Sequence, residues 1–186
     1  MTTPATLGGA LLLCIDMQPV FVRAMSDAAG VQRRCEFALA AATGLGLTAA
    51  FTEQVPQKLG GTVPELLALA PGAPVFAKNT FSALADHGIR EALLHERGVE
   101  HLLLCGIETP ICVYQTAIDA LAAGLRVTIL ADAVDARRPD DAAACLATLR
   151  QAGAHVLPAE SVFYSIVRDV KHPFFKAFTA LVKSHA

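Results

Sequence analysis

Short apolar runs alternate with amphipathic segments along the whole chain, which is the pattern of strand–helix units that build a parallel sheet. The first run, Ala10–Ile15, is continuously apolar and is followed by Asp16. A strand covered on both faces has this pattern, because both sets of its side chains are buried. Five further strands are predicted over residues 47–52, 74–77, 101–105, 125–130 and 154–157.

Helices are predicted between these strands, where apolar residues recur three and four positions apart. The segments cover residues 31–42, 86–97 and 112–123, and two more begin at Pro139 and Pro173. A long polar loop is predicted over 53–61. The pattern indicates an α/β fold, a single domain over residues 1–186 with three αβα layers, doubly wound around a mostly parallel six-stranded sheet.

Composition excludes several classes of protein. Hydrophobic residues make up 54% and charged residues 17% of the 186 residues, against about 25% charged in typical domains, so the chain is neither disordered nor a coiled coil. Fifteen Lys and Arg face seventeen Asp and Glu, a net charge of -2 without a basic run, which disfavours nucleic acid as a partner.

The apolar runs also exclude a membrane span, because the strongest one is far shorter than the roughly 20 residues that a spanning helix needs. The first nine residues, Met1 to Gly9, lack the charged and apolar regions of a secretory signal. We therefore expect a cytoplasmic protein that has no membrane partner.

Three residues with complementary chemistry follow predicted strands: Asp16, Lys78 and Cys112. In doubly wound sheets the ligand crevice lies outside the carboxyl ends of the strands, so all three are expected to face one crevice. Cys112 begins a helix, whose dipole and free N–H groups favour a thiolate and can stabilise an oxyanion, so the thiol pKa is expected to fall. A nearby ammonium would stabilise that thiolate, while a carboxylate could accept its proton and return it.

The other four cysteines, Cys14, Cys35, Cys105 and Cys145, are expected to be inert packing residues. An odd number of cysteines without a C-x-x-C pair disfavours disulfides and zinc.

Three stretches of the chain resemble the signatures of the isochorismatase-like cysteine hydrolase superfamily: residues 12–21 around Asp16, 78–82 after Lys78, and 106–117 around Cys112. The stretches 52–54 and 60–66 resemble the subgroup of isochorismatase domain-containing proteins. The resemblance implies that residues 1–186 are one hydrolase domain.

The resemblance also implies roles for individual residues. Asp16 would accept the proton, Lys78 would lower the thiol pKa, and Cys112 would be the nucleophile. A cis peptide would precede Glu108, and the backbone N–H groups of Glu108 and Cys112 would form the oxyanion hole.

Two departures from relatives restrict the chemistry. Nicotinamidases of this superfamily bind a metal through one Asp and two His after the second strand, whereas residues 52–57 contain no histidine, so we expect no metal and no cofactor. Isochorismatases, which cleave a vinyl ether, lack the cysteine. The remaining reaction is hydrolysis of a C–N bond in a small amide or carbamoyl compound through a thioester acyl-enzyme.

Four residues are predicted to line the substrate pocket: Phe21, Glu53, Gln54 and Phe81. A plain packing role for the two phenylalanines is equally compatible with the sequence. A C-terminal aromatic stripe, Phe174, Phe175 and Phe178, favours a homo-oligomer, a dimer or larger. Two other functions are open: an oligomeric binding module with a vestigial triad, and a redox sensor whose thiol forms sulfenic acid.

Overall fold

The computed structural model describes residues 9–185, which form one six-stranded sheet with helices on both faces. All neighbouring strands pair in parallel, in the order β3-β2-β1-β4-β5-β6. The doubly wound α/β prediction is confirmed, and the sheet is entirely rather than mostly parallel. The strands are β1 (Ala10–Ile15), β2 (Thr48–Gln54), β3 (Val75–Lys78), β4 (His101–Ile107), β5 (Arg126–Asp135) and β6 (His155–Leu157).

The helices are α1 (Pro19–Val22), α2 (Ala28–Gly44), α3 (Pro56–Leu59), α4 (Pro64–Leu69), α5 (His87–Arg90), α6 (Tyr114–Ala122), α7 (Pro139–Gln151), α8 (Ala159–Val167) and α9 (Phe175–Ser184). A wider π-type turn, Glu91–Glu96, continues α5, and a second one, Thr109–Val113, leads into α6. No helix within residues 9–185 is both long enough and apolar enough to cross a bilayer.

Strand β1 lies at the centre of the sheet, and its side chains alternate between two cores. Leu12 and Cys14 pack with residues of α2, α4, α8 and α9, whereas Leu11, Leu13 and Ile15 pack with residues of α5, α6 and α7. Each of these five strand residues is at most 1% exposed. Burial on both faces is the physical reason for the continuous apolar run.

The predicted loop over 53–61 is wrong at its start and in its middle. Strand β2 extends through Gln54 because its last four residues pair with β3, and α3 occupies part of the remaining segment. The sequence pattern also missed α4 and α8 and the second half of β5. Strand β5 continues to Asp135 after a register shift opposite Leu104 and Gly106.

The aromatic stripe of the C-terminal helix is part of the core of this chain. Phe178 is fully buried, and its ring centroid lies 5.9 Å from that of Phe37 and 6.4 Å from that of Phe163. Phe174 and Phe175 are partly buried against the same cluster. The aromatic side chains of the stripe therefore pack within the chain, and the stripe by itself does not support an oligomer.

The strand order changes direction at β1, which lies between β2 and β4, so the carboxyl ends of β1 and β4 border the crevice of the sheet. Gly106 lies in β4 beside Ile15 with φ of +106°. A Cβ at this position would lie 2.1 Å from the Ile15 carbonyl oxygen. Only glycine allows the two strand ends to approach this closely.

We predict that Gly106→Ala lowers the free energy of unfolding by about 3 kcal/mol or more, because the added methyl meets backbone atoms that cannot move aside. Gly72→Ala is the matched control, since Gly72 also has positive φ, +80°, but no atom within 4 Å of an added Cβ. Its cost should be about 1–2 kcal/mol from backbone conformation alone. Urea unfolding measures both, and equal losses would contradict the close-approach explanation.

Candidate active site

Asp16 occupies the first position after β1, where the backbone turns away from the strand with φ of +50°. Its N–H still donates to the Thr52 carbonyl oxygen at 3.1 Å. The carboxylate is buried and both of its oxygens accept hydrogen bonds: Oδ1 from Thr52 Oγ1 at 2.7 Å, and Oδ2 from Lys78 Nζ at 2.6 Å. Residues of β2 and β3, which lie on the same side of β1, therefore hold both carboxylate oxygens in place.

Lys78 ends β3, and its side chain is fully buried. Besides Asp16, its ammonium donates to Gln54 Oε1 at 2.6 Å and to the Thr80 carbonyl oxygen at 3.2 Å. An ammonium has three protons, so each of them has an acceptor. The strand order β3-β2-β1 brings together the lysine and the aspartate, which are 62 residues apart.

Gln18, a buried residue that the sequence pattern did not single out, holds the end of β2 in place. Its Oε1 accepts the Gln54 N–H at 2.7 Å, and its Nε2 donates to the carbonyl oxygens of Gln54 at 3.0 Å and Gly60 at 2.6 Å. The only available signal in the sequence was a glutamine two positions after Asp16. These bonds fix the backbone that carries the Gln54 acceptor of Lys78.

Cys112 lies in the turn Thr109–Val113, directly after the carboxyl end of β4. The preceding peptide bond, between Ile107 and Glu108, is cis. The Glu108 carbonyl oxygen accepts the N–H groups of Ile111 at 3.0 Å and Val113 at 3.2 Å, whereas the Glu108 N–H donates to no residue within 9–185. The turn thus holds a free backbone donor close to the cysteine in the chain.

Asp16 and Cys112 line the same cavity, which has a volume of about 90 Å³. Sites for drug-sized ligands are larger, roughly 300–1,000 Å³. The lining residues are Asp16, Phe21, Met25, Gln54, Phe81, Ile107, Glu108, Ile111 and Cys112.

The structure brings three of the four predicted pocket residues, Phe21, Gln54 and Phe81, to this cavity. Glu53 is not among the lining residues, because neighbouring side chains of a strand point to opposite faces. Its Oε1 accepts the Thr62 N–H at 2.7 Å and thereby anchors the segment after α3. Met25, four residues after Phe21, is an apolar lining residue that the sequence pattern missed.

The expected low pKa of the Cys112 thiol is wrong. Burial raises the pKa of this thiol to about 12, and the negative charge of Asp16 raises it further than the positive charge of Lys78 lowers it. The sequence indicated the favourable helix terminus but not the depth of the site. Cys112 is therefore a protonated thiol at neutral pH, beside a carboxylate that can accept its proton.

Three other cysteines form a cluster that the sequence spacing did not reveal. The sulfur atoms of Cys14, Cys35 and Cys105 lie within 4.8 Å of one another, and they come from β1, α2 and β4. All three are buried in the core on the face of the sheet opposite to Cys112. Their apolar surroundings are those of packing residues.

We predict that Lys78→Met lowers the free energy of unfolding by about 3–5 kcal/mol, because the Asp16 carboxylate is then buried without its partner. The double variant Lys78→Met with Asp16→Asn should recover a large part of this loss, because neither charge remains. Urea unfolding of the wild type, both single variants and the double variant measures the coupling. If the loss of unfolding free energy in the double variant equals the sum of the losses in the two single variants, the two residues are not coupled and the prediction is contradicted.

We predict that the Cys112 thiol of the wild type stays protonated up to about pH 10, since its pKa is raised. Asp16→Asn removes a charge that raises this pKa, so the thiolate should appear at lower pH. The thiolate absorbance in the ultraviolet, taken as the difference from the matching Cys112→Ala protein, measures both titrations. A thiolate in the wild type at neutral pH would contradict the prediction.

Comparison with known proteins agrees with this fold. The isochorismatase domain model matches residues 10–161. The chain is 36% identical over 178 residues to isochorismatase domain-containing protein 2 of Danio rerio, covering 96% of this chain and 88% of that protein.

Among solved structures, the MAR1 ribonuclease of Caenorhabditis elegans superimposes with a TM-score of 0.89 and 30% identity, covering 97% of this chain and 93% of that chain. The YcaC gene product of Escherichia coli, described as an octameric hydrolase of unknown specificity, shares the fold, with a TM-score of 0.85, 21% identity and coverage of 100% and 97%. The chain belongs to the isochorismatase family.

Proposed function

We propose that this protein is a metal- and cofactor-independent cysteine hydrolase that cleaves the C–N bond of a small amide or carbamoyl compound. The observation that carries the proposal is the convergence of three groups. Asp16 is bonded to Lys78 at 2.6 Å and lines the same cavity as Cys112. This arrangement combines a nucleophile, a proton acceptor and a cation that holds the acceptor.

In the first step, the Cys112 sulfur attacks the substrate carbonyl carbon while its proton passes to Asp16. The raised pKa of the thiol supports proton transfer during the attack rather than before it. The negative charge that develops on the carbonyl oxygen would be stabilised by the N–H groups of Glu108 and Cys112. One such donor is worth about 3–4 kcal/mol in comparable sites.

In the second step, the C–N bond breaks and Asp16 returns its proton to the departing nitrogen, which leaves a thioester on Cys112. A water molecule then attacks the thioester carbonyl and gives a proton to Asp16. The carboxylic acid product leaves, and the proton returns to the Cys112 sulfur. Lys78 contributes by holding the carboxylate in place through both steps.

The contacts of residues 52–54 support a mechanism without a metal. Thr52 donates to Asp16, the Glu53 carboxylate accepts from Thr62, and the Gln54 side chain joins Lys78 to Asn79. These side chains are thus engaged in bonds within the chain at the place where nicotinamidases of the superfamily carry metal ligands.

Nucleic acid is a poor candidate substrate, although the similar protein from Caenorhabditis elegans is described as a ribonuclease. Phosphate backbones are bound through Lys and Arg, and the chain has a net charge of -2. Within the part of the chain that the structure describes, no Lys or Arg lines the cavity. The cavity thus favours a small molecule.

We also propose that the protein is a homo-oligomer. Val20 and Phe81, which are 40% and 56% exposed, are large apolar side chains; Phe81 lines the cavity, and Val20 precedes the lining residue Phe21. The similar YcaC protein is described as octameric. An apolar contact near the cavity would cover these side chains.

We predict that wild-type protein mixed with a panel of small neutral amides gains the mass of an acyl group. Cys112→Ala should abolish this adduct and lower turnover by about a thousandfold or more. Cys145→Ala is the matched control, because this partly buried cysteine of α7 lies outside the cavity. Intact-protein mass spectrometry and product assays measure the two effects. Normal turnover in Cys112→Ala would contradict the proposed nucleophile.

The same experiment separates the two alternative functions. A binding module with a vestigial triad would give no acyl adduct with any amide of the panel and would instead capture a partner tightly. A redox sensor would form sulfenic acid at Cys112 with peroxide, yet the raised thiol pKa disfavours this oxidation, which proceeds through the thiolate.

A further inference from the structure

The charged side chains around the cavity form two ion pairs. The Asp16 carboxylate is bonded to Lys78, and the Glu108 carboxylate, whose side chain is 14% exposed, lies 3.1 Å from Arg137 Nε. Neither cation lines the cavity, and no other Lys, Arg or His lines it among the described residues. The two carboxylates at the cavity wall are therefore each paired with a cation that does not itself line the cavity.

Lys78 has no proton left for a substrate. Its three acceptors, Asp16, Gln54 and Thr80, are all within 3.2 Å. An anionic ligand would have to break one of these buried bonds, or remain without a positive partner.

Apart from the Cys112 thiol and Gln54, whose side chain is bonded to Lys78 and Asn79, the remaining wall is apolar. Its apolar side chains are Phe21, Met25, Phe81, Ile107 and Ile111, and the cavity volume is about 90 Å³. Transfer of an unpaired carboxylate from water into such surroundings is strongly unfavourable. A compact apolar group, in contrast, gains free energy from every Å² that it buries against these side chains.

We infer that the cavity selects uncharged substrates whose carbonyl carries a compact apolar substituent, and that it excludes substrates bearing a carboxylate. The inference rests on the proposed function, since it assigns the substrate class of the same site. A cation is also disfavoured, because Asp16 and Glu108 already have their partners and the small cavity would remove the ligand's own hydration.

The test compares two probes of nearly equal size and different charge, iodoacetamide and iodoacetate. Both alkylate thiols, with loss of iodide and formation of an S–C bond. The protein is the Cys145→Ala variant, which removes the one cysteine that is only partly buried. Labelling of Cys112 is followed by mass spectrometry, and each rate is divided by the rate of the same probe with N-acetylcysteine at the same pH.

The neutral probe should label Cys112 at least tenfold faster than the anionic probe after this normalisation. A bromoethylamine probe, which is cationic, should also be slower than iodoacetamide. Equal normalised rates, or faster labelling by either charged probe, would overturn the inference.

Phe81→Arg is a gain-of-function variant that places a cation on the exposed side of the cavity, and Phe81→Gln is its neutral control. The arginine should raise the normalised iodoacetate rate at least fivefold over the glutamine variant. The absence of any difference between the two variants would count against charge selection at this wall.

The outcomes distinguish this inference from the proposed function. Equal labelling by both probes, together with an acyl adduct from neutral amides, would refute charge selection and leave the hydrolase standing. Failure of every probe and every amide to modify Cys112 would refute the hydrolase and the substrate class with it.

Discussion

The ion pair between Asp16 and Lys78 is the interaction on which the site depends. A buried pair of charges is stable only when the remaining donors and acceptors also have partners. Here Thr52 binds the second carboxylate oxygen, while Gln54 and the Thr80 carbonyl oxygen take the other two ammonium protons. The pair thus joins the carboxyl ends of three adjacent strands and holds the Asp16 carboxylate beside the cavity.

This arrangement also explains the protonation state of the proposed nucleophile. Burial and the carboxylate keep Cys112 protonated. In the proposed mechanism, attack and proton transfer are therefore coupled to the arrival of a carbonyl group. A thiol of this kind reacts more slowly with alkylating agents and oxidants than an ordinary thiol, since both reactions require the thiolate. The proposed mechanism requires an accurately positioned Asp16 carboxylate, and the hydrogen bonds from Thr52 and Lys78 hold it in position.

Much of the fold and part of the site were accessible from the sequence. The apolar runs predicted the six strands because parallel sheets bury both faces, and the position of Asp16 and Lys78 after two of these strands predicted their meeting. The pKa of Cys112 could not be predicted, since a helix terminus is visible in the sequence but depth of burial is not. The sequence pattern predicts Glu53 in the pocket because it places this residue in a polar loop, where the direction of a side chain cannot be inferred. In the structure Glu53 belongs to β2, and its carboxylate accepts the Thr62 N–H instead.

The walls of the cavity and its reactive groups come from different parts of the chain. The acid and the ammonium are fixed by hydrogen bonds at strand ends, whereas Phe21 belongs to α1 and Phe81 is 56% exposed in the segment after β3. Substitutions at these two phenylalanines leave the hydrogen bonds of the ion pair untouched. The substrate preference of this fold can therefore change through substitutions in the cavity wall that cost little stability. One scaffold can in this way serve many small-molecule substrates.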